Sequence, residues 1–161
     1  MKENRGFSLI ELLIVITIIL VIVAIAVPSL MRSRISANEA SAIASLRVIN
    51  TAEISYSVSY PMVGFATGLQ FLKPPPAGQG PSSVSAGLLD DVLGCNQQPC
   101  AKSGYEFEIV NTGGNPVVDT YSLTGVPTYP GVTGVRGFCS DQTWHITFDP
   151  NGATNCTTTM Y

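Results

Sequence analysis

A single carboxylate, Glu11, interrupts the apolar run Phe7–Val27 in a chain of 161 residues. On insertion scales a carboxylate placed in hydrocarbon costs roughly 2.5–3.5 kcal/mol, so Glu11 asks for a partner and a function. The bland alternative is that Glu11, only the fifth residue of the run, lies near enough to the membrane surface to reach water. Other residues able to do chemistry are few. His145 is the one histidine, and a lone imidazole on a predicted strand reads as structural. Asp90-Asp91 and Asp149-x-Asn151 offer oxygen ligands to a hard cation, but a complete ligand loop is missing. No glycine-rich phosphate loop is present. The residues therefore predict no enzyme, no catalytic residue, no metal site and no cofactor.

From residue 61 onward Lys73, Lys102 and Arg136 stand against seven carboxylates. Nucleic-acid binding needs basic stripes that displace counterions, so nucleic acid is not an expected partner.

The elements that must position Glu11 begin with the run itself. Phe7–Val27 is 21 residues of mostly Ile, Leu and Val, and at about 1.5 Å per residue it spans the roughly 30 Å hydrocarbon core as a helix. It is too long for the apolar region of a secretory signal peptide and ends in Val27-Pro28-Ser29, with no Ala-x-Ala cleavage pattern. Lys2 and Arg5 before the span balance Arg32 and Arg34 after it, so charge alone does not orient it. Pro28 predicts a kink, because proline removes one helix hydrogen bond and crowds the carbonyl four residues back.

Beyond Pro28, Ile35, Ala42, Leu46, Ile49, Tyr56 and Tyr60 fall on one face of a 3.6-residue period. Asn38, Glu39, Ser45, Arg47 and Ser59 are assigned mostly to the other faces. Residues 29–60 thus read as an amphipathic helix that packs on a sheet. Residues 61–104 carry Pro74-Pro75-Pro76 and Gly-rich turns and read as a connecting region, with a short helical turn around Leu88–Leu93. Residues 105–161 read as strands and a tail: Tyr105–Val110, Val117–Leu123, Arg136–Cys139 and Trp144–Phe148. Turns are expected at Gly113-Gly114-Asn115 and at Asp149-Pro150-Asn151-Gly152. The predicted class is α+β, a long N-terminal helix packed on a C-terminal antiparallel sheet of three to four strands, with one core.

Met1–Gly6 is a short basic leader ending in Gly, followed by Phe7-Ser8-Leu9-Ile10-Glu11 and the long apolar run. This arrangement resembles the N-terminal signal of type IV pilins and type II secretion pseudopilins. The resemblance implies that residues 1–6 are a cytoplasmic leader, cleaved between Gly6 and Phe7 by prepilin peptidase, which then methylates the Phe7 amine. It implies residues 7–28 as a membrane anchor and later filament core. It also implies that Glu11 neutralises the Phe7 amine of a neighbouring copy, setting the register of a helical homo-oligomer. An inner-membrane assembly platform is the further partner implied. The single-pass precursor would hold its C-terminal domain in the periplasm, and the filament would be periplasmic or extracellular.

Within this resemblance a pilin, a pseudopilin and a low-abundance surface-binding minor pilin remain open. Leu20 stands where many bacterial pilins carry Gly. The segments SGYEFEI, YSLTGVP and TGVRGFCSDQTWHITFD resemble the sheet of an acidobacteria- or deltaproteobacteria-like pilin group, with Trp144 near a position where that group favours Gly.

A leader of this kind puts Cys95, Cys100, Cys139 and Cys156 outside the cytoplasm, where they should form two disulfides. Three connectivities are open. Cys95 with Cys100 and Cys139 with Cys156 is favoured, because each closes a local loop and the second ties the tail to the sheet. Zinc would need tighter pair-and-pair spacing than Cys-x4-Cys with Cys-x16-Cys.

Overall fold

The computed structural model describes residues 7–159. The leader Met1–Gly6, with the Gly6 side of the expected cleavage point, lies outside the described residues. The chain divides into two units, Met1–Arg34 and Ile35–Tyr161.

In the first unit the apolar run is helical and its large side chains are exposed, among them Leu9, Ile10, Leu13, Ile18 and Ile25. They belong to α1, Leu9–Ser59. Leu, Ile and Val at most positions, with Glu11 and Thr17 the polar exceptions between Leu9 and Val27, leave no polar face, the pattern of a helix whose solvent is lipid or other apolar surface. Pro28 lies inside α1, which stays helical on both sides of it. The proline therefore removes the hydrogen bond to the Ala24 carbonyl without ending the helix.

In the second unit α1 packs on a six-stranded antiparallel sheet in the order β1-β2-β3-β4-β5-β6. The strands are β1 Cys100–Lys102, β2 Tyr105–Gly113, β3 Thr120–Pro127, β4 Gly137–Asp141, β5 Thr147–Asp149 and β6 Thr158–Thr159. This is the expected α+β architecture, widened beyond three to four strands by the short flanking strands. Period-2 alternation sets the buried face: Tyr105, Phe107 and Ile109 on β2, and Tyr121 and Leu123 on β3, all at most 1% exposed. Phe107 pairs with Gly125 across the ladder. A Cβ at Gly125 would come within 2.9 Å of the Phe107 ring and 3.8 Å of Leu46, so the missing side chain lets helix and aromatic ring approach.

β2 and β3 are joined by residues 114–119, a longer connection than the tight turn expected at Gly113-Gly114-Asn115. The turn at Asp149–Gly152 forms, with the Asn151 N–H donating to Asp149 Oδ1 at 2.7 Å. Near Leu88–Leu93 a single turn forms, the Gly94 N–H donating to the Asp90 carbonyl at 2.8 Å, and a 3-10 turn lies at Leu69–Phe71. The connecting region buries Ala66, Leu69, Leu72, Ala86, Leu89 and Leu93 in the same core as Leu46, Ile49 and Tyr56 of α1.

The face of α1 turned to the sheet is not purely apolar. Glu39 and Ser45, assigned by periodicity mostly to other faces, are buried, as are Asn50 and Glu53. For Glu39, Asn50 and Glu53, hydrogen-bond partners later in the chain accompany this burial, tying α1 to the 133–136 loop, to β3 and β4, and to the connecting region. Asn38 Nδ2 donates to the Thr133 carbonyl at 2.8 Å. Glu39 accepts from the Val135 and Arg136 N–H groups, both at 3.1 Å, and from the Arg136 guanidinium at 2.6 and 3.0 Å. Asn50 Nδ2 donates to Ser140 Oγ at 2.7 Å, while Asn50 Oδ1 accepts the Tyr121 hydroxyl at 2.9 Å. The Tyr56 hydroxyl donates to the Ser83 carbonyl at 2.6 Å. Buried polar groups are tolerated when hydrogen-bonded in this way, and they penalise any alternative seating of the helix.

Burial pushes the Glu39 carboxyl up, but the Arg136 side chain, the two backbone N–H donors and the Arg136 charge outweigh it and hold the carboxyl below its usual range. The ionised form therefore stabilises the fold above about pH 4.5, and that stability is lost as pH falls through the lower folded-state value. Glu39→Gln should cost about 2 kcal/mol at pH 7, measured by urea unfolding of the full chain in detergent. The variant and wild type should converge in acid as Glu39 itself protonates.

Candidate functional site

The candidate site is the start of α1, where Glu11 and Phe7 lie. Ser8 immediately precedes the first helical residue and Glu11 is the third residue of the helix. The Ser8 N–H donates to Glu11 Oε2 at 3.0 Å. This is the reciprocal half of a capping box, in which an acidic side chain at N3 reaches back to an N–H that the helix itself cannot satisfy. A carboxylate there also lies at the positive end of the helix dipole. The signature Ser-x-x-Glu stands in the sequence at residues 8–11, where its spacing alone marks a helix start.

Phe7, next to this donor, is 79% exposed. Its side chain joins the exposed apolar surface that continues through the first unit. The geometry places one carboxylate, already oriented toward the helix start, one residue from the N–H of Phe7.

The cysteines are joined as Cys95–Cys100 and Cys139–Cys156, with Cα separations of 5.6 and 5.9 Å. The second bridge borders a polar cleft of about 370 Å³ lined by Asp141, Gln142, His145 and Thr154. His145 is exposed. Asp141 Oδ1 accepts hydrogen bonds from the Thr143 N–H and hydroxyl. Among the described residues no three His, Cys, Asp or Glu side chains are grouped to hold a metal ion.

Trp144 in the neighbouring loop has φ +66°, the left-handed region that bulky residues rarely adopt. Because any Cβ is strained at this φ, Trp144→Gly should be more stable than Trp144→Ala by about 1 kcal/mol. The comparison of the two variants' urea midpoints checks it.

No curated protein and no solved structure matches the chain closely enough to support an argument. Residues 1–27 match the family described as the prokaryotic N-terminal methylation motif. The match covers the leader, Phe7, Glu11 and the apolar run, and α1 here is long and apolar enough to cross a membrane. The chain thus carries a prokaryotic N-terminal methylation motif at residues 1–27.

Proposed function

We propose that this chain is a structural subunit of a type IV pilus or pilus-like filament. Prepilin peptidase cleaves between Gly6 and Phe7 and methylates the new Phe7 amine. Before assembly the apolar part of α1 anchors the subunit in the inner membrane, with the second unit on the periplasmic side. Disulfides in that unit support an oxidising compartment. An assembly platform in the inner membrane then passes subunits into a helical homo-oligomer through heterologous contacts that do not close into a ring.

The observation that carries this reading is Glu11, a carboxylate in an otherwise apolar run within the matched motif. An amine at Phe7 and a carboxylate at Glu11 are each costly to bury alone, and pairing relieves both. Pairing across two copies would set the axial register of the filament. Pro28 would supply a point at which α1 bends as subunits pack.

The Glu11→Ala variant should insert in the membrane and lose its leader normally, since neither step needs the pair. Its yield of sheared filaments should fall at least tenfold. Mass spectrometry of the processed N-terminus and quantification of the filament fraction provide the two readouts. A normal filament yield would overturn the register role.

A further inference from the structure

Glu53 lies on the sheet-facing side of α1 and has no solvent exposure. Its Oε2 accepts the Ala66 N–H at 2.8 Å. Its Oε1 is buried without a hydrogen-bond partner, and no cation pairs with it among the described residues. Glu39, on the same helix and also buried, is surrounded by an arginine and two backbone donors. One residue type thus occupies two opposite environments on one helix, and only Glu39 has the partners a buried anion needs.

We propose that Glu53 is a proton-operated latch that holds the connecting segment 61–68 onto α1. The segment's other attachments are few. Val118 N–H donates to the Val63 carbonyl, Phe65 N–H donates to the Val118 carbonyl, both at 2.9 Å, and the Phe65 ring meets Tyr121 edge-on at 4.9 Å. Gly64, at φ +83°, lets this bridge form, because a Cβ there would collide with the Val118 carbonyl. At its start the segment is also held by the Val63 and Gly64 N–H groups, which donate to the Tyr60 carbonyl at 2.9 and 3.0 Å, and Ala66 packs in the core beside Ile49 and Tyr56; Ala66 N–H to Glu53 is the segment's hydrogen bond to a side chain of α1.

The groups facing Glu53 do not titrate in its place. Residues 61–68 contain no ionisable side chain. Tyr56 on α1 and Tyr121 on β3 both have hydroxyls pushed up, first by burial and then by the Glu53 charge. Tyr60 lies beside Tyr56 with ring centroids 4.9 Å apart, and the Asp141 charge on β4 adds to the upward push on Tyr121.

Burial raises the Glu53 carboxyl to about 8, against a smaller opposing effect of the Ala66 N–H. The closed form therefore keeps its proton up to about pH 8, while an opened, hydrated Glu53 keeps it only to the ordinary value near 4.5. Between those limits a rise in pH favours opening, by up to about tenfold per pH unit. Below and above them the latch is insensitive to pH.

The test is amide hydrogen exchange at Ala66 in the full chain in detergent micelles from pH 5 to 9, corrected for intrinsic base catalysis. In wild type the opening constant should rise with pH, approach tenfold per unit at its steepest, and level off above pH 8. In Glu53→Gln, which keeps the shape and removes the titration, it should be flat. A 13C titration of the wild-type carboxyls should place Glu53 several pH units above Glu39. A flat wild-type profile, the same slope in Glu53→Gln, or a Glu53 midpoint in the ordinary carboxylate range would overturn the proposal. Should Glu53→Gln not fold, the wild-type carboxyl titration decides the matter alone.

Discussion

A carboxylate that enters an apolar phase has to be compensated, and Glu11 makes that demand within the first turn of α1. In the single chain the compensation is local: the Ser8 N–H and the positive end of the helix dipole meet the carboxylate. That is a partial answer, because one N–H does not balance a full charge. On the reading proposed here, processing supplies the complement by creating an amine at Phe7. The same side chain then serves first as a helix cap and later as a charge partner. The exposed Ile, Leu and Val surface of residues 9–31 is itself stable only against lipid or other apolar surface.

The second unit handles buried polarity differently. Asn38, Glu39, Asn50, Glu53 and Tyr56 punctuate the part of α1 that meets the sheet; Asn38, Glu39 and Asn50 reach segments 90 or more residues away, while Glu53 and Tyr56 reach the connecting region. The sheet itself is assembled from sequence neighbours, every strand pairing with the next. Its local order does not by itself seat the helix at one height. Apolar contacts among Leu46, Ile49, Phe107 and Leu123 supply most of the driving force but tolerate sliding. Directional hydrogen bonds at fixed positions along α1 do not tolerate it.

Much of this architecture was legible from residue patterns, for physical reasons that differ by element. The apolar run and the stripe Ala42, Leu46, Ile49 and Tyr56 follow from local periodicity, and those four are buried. Strands β2 and β3 alternate over eight or nine residues, long enough for a period of two to declare itself. β1 and β6, of three and two residues, are too short to show a period and exist because a longer neighbour offers an edge. The burial of Glu39 was hidden for another reason: its arginine partner lies 97 residues away, and nothing local marks a polar position as paired. At the candidate site Glu11 was visible at once as a cost. Its capping contact with Ser8 was equally present in the spacing, yet is apparent only once the helix start is known.

The central claim is that Glu11 of one copy meets the Phe7 amine of another. Solid-state NMR on filaments assembled from two chain populations, one with 13C-labelled glutamate and one with 15N-labelled phenylalanine, measures that contact directly. The account predicts a dipolar coupling between the Glu11 carboxyl carbon and the Phe7 amine nitrogen corresponding to about 4 Å, observable only across chains in such a sample. A coupling present in uniformly labelled filaments and absent from the mixed ones would place the pair within one chain and contradict it.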